Sequence, residues 1–571
     1  MLVAWKPARK SIRGGIVKTW QRAFGLGLCA FSASIAQAQA QSLVRTSNGV
    51  VEGTTEAGVQ SWKGIPFAAP PVGALRWRAP QPVASWTNVR PAKSYANDCM
   101  QVPFPSDAAP LGTPPAEDCL YANVWRPAGS KGKLPVIFWI YGGGFVNGGS
   151  SPPTYSGANL ARQGVLFVSA NYRVGRFGTF AHPQLTAANP DNGLLGNYGI
   201  LDQIAALQWV KRNIAAFGGD PHNVTIIGES AGGMSVHTLV TSPLARGLFS
   251  KAVVMSGGAA EDADGPKLSE VEKTYVDFAQ SKGIAADDPR ALDKLRAMSA
   301  EQITDGLNMM ALFRPAPGPR TFVGPFVDGK IVVDQGKAYD SGDFAHVPML
   351  VGATSADSGG EFGFMIAGAR RASTRIAAQK NPVWEYRFSY VADSIGKPGA
   401  QHATDIPFFF DTQAVKYGDK TTDKDNRVGK LISAYMVNFA KTGDPNGPAL
   451  PKWPRYAAAT DNLLDFTASG TALAQRDPWG AEIDSAEKKL AAAKASGKYN
   501  SLTTPIGTLL NDPSARAVLQ KHIPDVIGDS RIAMAGGITL SALQAFMPQQ
   551  LTPVVLDAID AELAAIPAAP K

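Results

Sequence analysis

The sequence predicts an α/β fold, a mostly parallel sheet covered by helices on both faces, with a helical cap and a small helical extension at the C-terminal end. Three observations carry that expectation. Continuous apolar runs recur along the chain, as strands buried on both faces require. The stretches between several of them have helical spacing. One run, Val224-Thr-Ile-Ile227, passes directly into Gly228-Glu-Ser-Ala-Gly232 and then a helix, the local order of a strand-helix-strand sheet. With 571 residues, 45% of them hydrophobic, the chain has enough apolar material for one large domain and a smaller one.

The formal charge of +8 invites a nucleic-acid or membrane-surface partner, so its location matters. Lys6, Arg9, Lys10, Arg13, Lys18 and Arg22 come before any acid, and the rest of the chain is close to neutral. We expect neither nucleic-acid binding nor stable membrane insertion. The basic leader runs into an apolar stretch, 23–35, and then into Ala36-Gln-Ala38 and Ala38-Gln-Ala40, both acceptable small-x-small cleavage sites. Residues 1–40 therefore read as a signal peptide, the alternative being an ordinary N-terminal helix, and the mature protein as periplasmic or extracellular. The apolar stretch is too short to span a bilayer. Only Cys99 and Cys119 follow it; in an oxidising compartment the pair is expected to form one disulfide, with two buried thiols as the alternative.

Between 49 and 86 the punctuation by glycine and proline predicts short antiparallel strands at a sheet edge. The proline-rich stretch 100–115 reads as a surface loop. Val136-Ile-Phe-Trp-Ile-Tyr141 is a buried strand that stops at Gly142-Gly-Gly-Phe-Val-Asn-Gly-Gly149, and 165–171, 224–227, 251–255 and 347–351 are further strands. Residues 201–214 have helical spacing. A cap is expected over 258–345, where the pattern turns helical and irregular. An Ala/Lys-rich helix or linker covers 485–498, and beyond it Pro513, Pro524 and Pro553 break amphipathic segments up to 566. The domain division that follows is 41–485 for the main domain and 486–571 for linker and extension.

Ser230 sits where a tight strand-to-helix turn needs small residues two positions to either side, and Gly228 and Gly232 supply them. A Gly-x-Ser-x-Gly alone is expected by chance on the order of a third of a time in such a chain. Longer stretches carry more. Phe217-Gly-Gly-Asp-Pro-His-Asn-Val-Thr-Ile-Ile-Gly-Glu-Ser-Ala-Gly232 and Glu117-Asp-Cys-Leu-Tyr-Ala-Asn-Val124 resemble the two signatures of the type-B carboxylesterase family of the α/β-hydrolase fold. Further likeness lies in Gly64-Ile-Pro-Phe-Ala-Ala-Pro-Pro-Val-Gly73, Asn171-Tyr-Arg-Val-Gly175 and Phe439-Ala-Lys-Thr-Gly-Asp-Pro-Asn446. It extends from about residue 43 to about 480.

The resemblance implies a Ser-acid-His order along the chain. Three histidines lie well downstream of Ser230: His346, His402 and His522. His346 directly precedes a predicted strand and His522 falls in the tail, so His402, in a loop that resembles the family's histidine loop, is the candidate base. Family members usually carry Asp-Glu-Gly where this chain reads Gly352-Ala-Thr-Ser-Ala-Asp-Ser-Gly359. Asp357 falls on the Glu position and is the candidate acid, with Glu361 as the alternative. The backbone N–H groups of Gly143, Gly144 and Ala231 are candidate oxyanion donors, and Glu229 and Ser256 are candidate polar support, or ordinary buried hydrogen-bonding groups. Met309, Met310, Leu312 and Phe313 are candidate pocket residues, and Arg314 a candidate for a substrate carboxylate. The region between the two cysteines holds Phe104 and lacks the tryptophan with which cholinesterases of this family hold a quaternary ammonium.

These residues imply a serine carboxylesterase that hydrolyses a small-molecule ester through an acyl-enzyme and requires neither metal nor organic cofactor. An amidase, a lactonase, an acyltransferase or a non-catalytic binding member of the fold are the alternatives. Oligomeric state is left open.

Overall fold

The computed structural model describes residues 42–104, 109–258, 265–313, 318–359, 363–529, 532–544, 547 and 549–567. The leader, Arg314 and Glu361 lie outside these residues. The frame is an eleven-stranded sheet: β1 (Thr54–Glu56), β2 (Val59–Pro66), β3 (Tyr121–Pro127), β4 (Leu134–Ile140), β5 (Leu166–Ala170), β6 (Gly219–Glu229), β7 (Lys251–Met255), β8 (Met349–Thr354), β9 (Val383–Phe388), β10 (Asn462–Phe466) and β11 (Ala472–Arg476). The spatial order is β11-β10-β9-β8-β7-β6-β4-β5-β3-β2-β1. From β5 through β10 neighbouring strands are parallel. The pairs at either end are antiparallel.

Every residue of β5, β7, β8 and β9 is buried, the condition of strands covered on both faces. Helix α1 (Tyr198–Asn213) precedes β6 and helix α2 (Ala231–Thr241) follows it, while α4 (Phe364–Ala378) packs on β8 and β9 and α5 (Asp423–Thr442) on β4 and β6. Between α2 and α4 the short helix α3 (Met309–Phe313) belongs to the irregular helical stretch expected as a cap. Cys99 and Cys119 are joined by a disulfide, and the two-residue strand Asp98–Cys99 pairs with Pro115–Ala116 inside the loop it closes.

Four strands of this sheet go unread in the sequence: β3, β9, β10 and β11. The β9 run Val-Trp-Glu-Tyr-Arg-Phe alternates apolar and charged residues, yet Glu385 and Arg387 are both buried. Arg387 pairs with Asp477 at 3.1 Å and lies over the Trp479 ring, partners supplied some ninety residues later.

Helix α6 (Gly480–Ser496) is held against α4 by Arg370, which bonds Asp484 at 2.7 Å and Asp461 at 2.8 Å, and by Arg371, which bonds Glu487 at 2.7 Å. Beyond it a second hydrophobic cluster, built on Leu509, Leu519, Val526, Ile559 and Leu563, shares no residue with the main core. Pro513, Pro524 and Pro553 each open a helix there instead of lying within one, as a residue without an N–H can at a first helical position. Asp512 and Thr552 cap two of these helices.

The topology also marks where a site belongs. The chain leaves β4 for β5 on one side and reaches β6 on the other, so the strand order reverses there and a crevice opens at the carboxyl ends of β4 and β6. Those ends carry the glycine run after Ile140 and the serine after Glu229.

Candidate active site

Strand β6 ends at Glu229 and α2 begins at Ala231, leaving Ser230 alone to make the turn with φ 57° and ψ −124°. For a residue with a Cβ this conformation costs on the order of 1–3 kcal/mol, and it lifts the side chain clear of both elements. The flanking glycines are required by contact: a Cβ on Gly228 would collide with the carbonyl of Gly232, and one on Gly232 with that of Ile140. The turn is held by the Ser230 amide, which donates to Met255 O at 3.0 Å, and by Ser230 O, which accepts from Met234 N at 2.9 Å.

Ser230 Oγ lies 2.8 Å from His402 Nε2, and His402 Nδ1 lies 2.6 Å from Asp357 Oδ1. A carboxylate at Nδ1 fixes the neutral ring with its proton there, leaving Nε2 to accept from the serine hydroxyl. Asp357 is buried and takes three further bonds: Ser256 Oγ donates to Oδ2 at 2.7 Å, Thr354 N to Oδ2 at 3.0 Å and Ser358 N to Oδ1 at 2.7 Å. Burial works against its charge, but the bonds from His402, Ser256 and the Ser358 amide prevail and hold the carboxyl below its ordinary value. Glu229, also buried, brings Oε1 to 3.4 Å from His402 Nε2. Burial lowers the imidazole, while Glu229 first and then Asp357 raise it more, to about 9.

The other downstream histidines sit elsewhere. His346 Nε2 is 2.9 Å from Gly342 O on the surface, and His522 Nε2 is 2.8 Å from Glu562 in the C-terminal helices.

A cavity of about 200 Å³ opens over this row of side chains, lined by Ser230, Glu229, His402 and Gly143, with Phe104, Tyr155 and Met309 among its apolar walls. Gly143 and Gly144 have φ of 106° and 61°. Their N–H groups meet no acceptor among the described residues. Gly144 is roofed by Met309 and Leu312 of α3. Ala231, buried as the first residue of α2, carries an N–H that its own helix leaves unused.

One residue near the site gave no signal in the sequence. Asp405, three positions after His402, is fully buried, and its Oδ2 accepts from Tyr386 OH at 3.1 Å. Burial first, and then the charge of Asp357, push its carboxyl up to about 7. Among the described residues no group of three or more His, Cys, Asp or Glu is arranged to hold a metal ion, and no helix is long and apolar enough to cross a membrane.

The profile of the carboxylesterase family matches residues 40–367 and 361–478. Para-nitrobenzyl esterase of Bacillus subtilis (strain 168) is 35% identical over 475 residues, covering 74% of this chain and 94% of that protein. Fumonisin B1 esterase of Sphingopyxis macrogoltabida is 34% identical over 514 residues, covering 79% and 91%. A solved structure of PNB esterase superposes with a TM-score of 0.66 at 30% identity, covering 78% of this chain and 99% of that one. The chain therefore belongs to the carboxylesterase family and is a carboxylic ester hydrolase of the α/β-hydrolase fold.

Proposed function

We propose that the mature protein is an exported serine carboxylesterase in which Ser230 is the nucleophile, His402 the general base and Asp357 its orienting acid. The observation that carries this reading is the unbroken row from Ser230 Oγ to His402 Nε2 at 2.8 Å and from His402 Nδ1 to Asp357 at 2.6 Å, opening on a cavity. His402 takes the hydroxyl proton as Oγ attacks the ester carbonyl, and the tetrahedral anion rests on the N–H groups of Gly143, Gly144 and Ala231. The anion collapses, His402 returns its proton to the departing alkoxide, and the alcohol leaves an acyl-enzyme. Water, deprotonated by the same histidine, cleaves the acyl-enzyme and frees the acid. The cavity of about 200 Å³ suits a small ester with a short acyl chain. Export is supported by the basic leader, the small-x-small sites and the single disulfide.

The test is hydrolysis of p-nitrophenyl butyrate by the mature protein. A burst of p-nitrophenol equal to the enzyme concentration, an acyl adduct on the Ser230 peptide and loss of turnover in Ser230→Ala are expected. Turnover that survives in Ser230→Ala overturns the reading. Export is checked by sequencing the N-terminus of the secreted form, expected to begin at residue 39 or 41.

A further inference from the structure

The loop that carries Gly143 and Gly144 is tied to its neighbours through the side chains of Asn147 and Gln101. Asn147 is 2% exposed and its carboxamide is used on both sides. Its Nδ2 donates to Val102 O at 2.8 Å and to Gln101 Oε1 at 3.1 Å, both within the disulfide-closed loop. Its Oδ1 accepts from the amide of Met309, the first residue of α3, at 2.8 Å. The backbone of the same residue closes the glycine turn, since Asn147 N donates to Gly143 O at 2.9 Å. A Cβ on Gly143 would strike the Asn147 carbonyl, so the two residues pack with no slack. Gln101, 3% exposed, completes the clamp: Gly148 N donates to its Oε1 at 2.9 Å, and its Nε2 donates to Gly148 O at 2.7 Å and Cys99 O at 2.9 Å.

Both segments gathered by Asn147 contribute to the wall of the cavity. Phe104 follows Val102 by two residues, and Met309 both lines the cavity and roofs Gly144. A polar residue buried among apolar walls costs stability unless each of its groups is bonded, and here all three are. A leucine, with the same branched skeleton, would place no such demand on its surroundings, which points to a role in position.

We propose that Asn147 is a positioning residue, seconded by Gln101, that locks the oxyanion glycines to the disulfide loop and to α3, so that substrate seating and oxyanion geometry are set together. This rests on the reading of Gly143 and Gly144 as oxyanion donors. Loss of the clamp leaves Ser230, His402, Asp357 and the Ala231 N–H in place and displaces only the N–H donors of Gly143 and Gly144, whose interaction is made in the transition state.

The experiment compares wild type, Asn147→Leu and Gln101→Met on p-nitrophenyl butyrate, with active sites counted by an organophosphate titrant. We expect kcat per titrated site to fall about a hundredfold in Asn147→Leu and about tenfold in Gln101→Met, with KM held within about threefold. The inhibition constant of butyl trifluoromethyl ketone, whose adduct places an oxyanion in the same spot, rises in the same proportion, and the acid limb of the pH profile stays put. A merely structural role lowers the count of active sites and leaves kcat per site within about twofold of wild type; that outcome in either folded variant overturns the proposal, as does a loss confined to KM. Where Asn147→Leu fails to fold, Gln101→Met decides alone. Turnover in Ser230→Ala would instead refute the nucleophile assignment, a separate failure.

Discussion

Replacing Glu229 by glutamine tests the electrostatics of the site most directly. The carboxylate lies 3.4 Å from His402 Nε2 and is the largest of the influences that raise the imidazole to about 9. Two opposite unit charges at that separation attract by about 5 kcal/mol at an effective dielectric of 20. His402 is 28% exposed toward the cavity, so water screens much of this, and a neutral amide still offers an oxygen. We therefore expect His402 to drop by about 1 to 2 pH units, the usual effect of one opposite charge at such range. His402 must be neutral to accept the Ser230 proton, so lowering its pKa moves the acid limb of kcat/KM to lower pH. The plateau above the limb should fall as well, because the same charge stabilises the imidazolium that forms during attack; a loss of about tenfold corresponds to ~1.4 kcal/mol. The assay is kcat/KM for p-nitrophenyl butyrate from pH 5 to about 10, with spontaneous hydrolysis subtracted. A limb that stays in place, or one that moves upward, refutes the assignment of Glu229 as the charge that sets His402.

Asp357→Asn should lower kcat by about 10⁴ by removing the group that holds the His402 tautomer, while Glu361→Gln leaves kcat near wild type; the reverse pair of results would make Glu361 the acid. Replacing Cys99 and Cys119 by serine opens a loop with a separation of 20 residues and should lower stability by about 3 kcal/mol, read as an earlier urea transition that matches reduced wild type. A chain ending at Ser496 should keep kcat/KM within about twofold, because the helices beyond it close on their own apolar cluster. A truncated protein that folds by circular dichroism and has lost turnover would overturn that expectation.

What the sequence disclosed follows how local each feature is. The Ser230 elbow was legible because its strand, its glycines and its helix are consecutive, and the approach of Gly228 to Gly232 is a four-residue matter. The parallel strands β4 to β8 were legible because burial on both faces leaves an uninterrupted apolar run. Strand β9 was hidden by Glu385 and Arg387: Arg387 finds Asp477 and Trp479 only from a distant stretch, while burial pushes the Glu385 carboxyl up to about 8. The hairpin of β10 and β11 was hidden for the opposite reason, since β11 is largely exposed and leaves little apolar pattern to read. Asn147 and Gln101 carried no signal at all: an asparagine in a glycine-rich loop is ordinary, and its meaning lies in partners 45 and 162 residues away.

Asp357 shows how such distant contacts absorb a local change. A glutamate is the residue the family resemblance leads one to expect at this position, and an aspartate reaches about 1.5 Å less far. Here the backbone draws the two loops together. Ala356 N donates to Ala400 O at 2.8 Å, Ala400 N donates to Ser355 Oγ at 3.2 Å, and Ala356 and Gln401 form a parallel bridge. The loops that carry Asp357 and His402 are thus paired like two short strands, and their separation is set by one main-chain bond, one bond to Ser355 Oγ and the bridge. A short carboxylate suits that arrangement because both its oxygens are engaged close to the backbone, by Thr354 N and Ser358 N as well as by Ser256 and His402. A longer side chain would have to push its head group past these donors or drive the two loops apart, so the aspartate and the bridge are two halves of one solution.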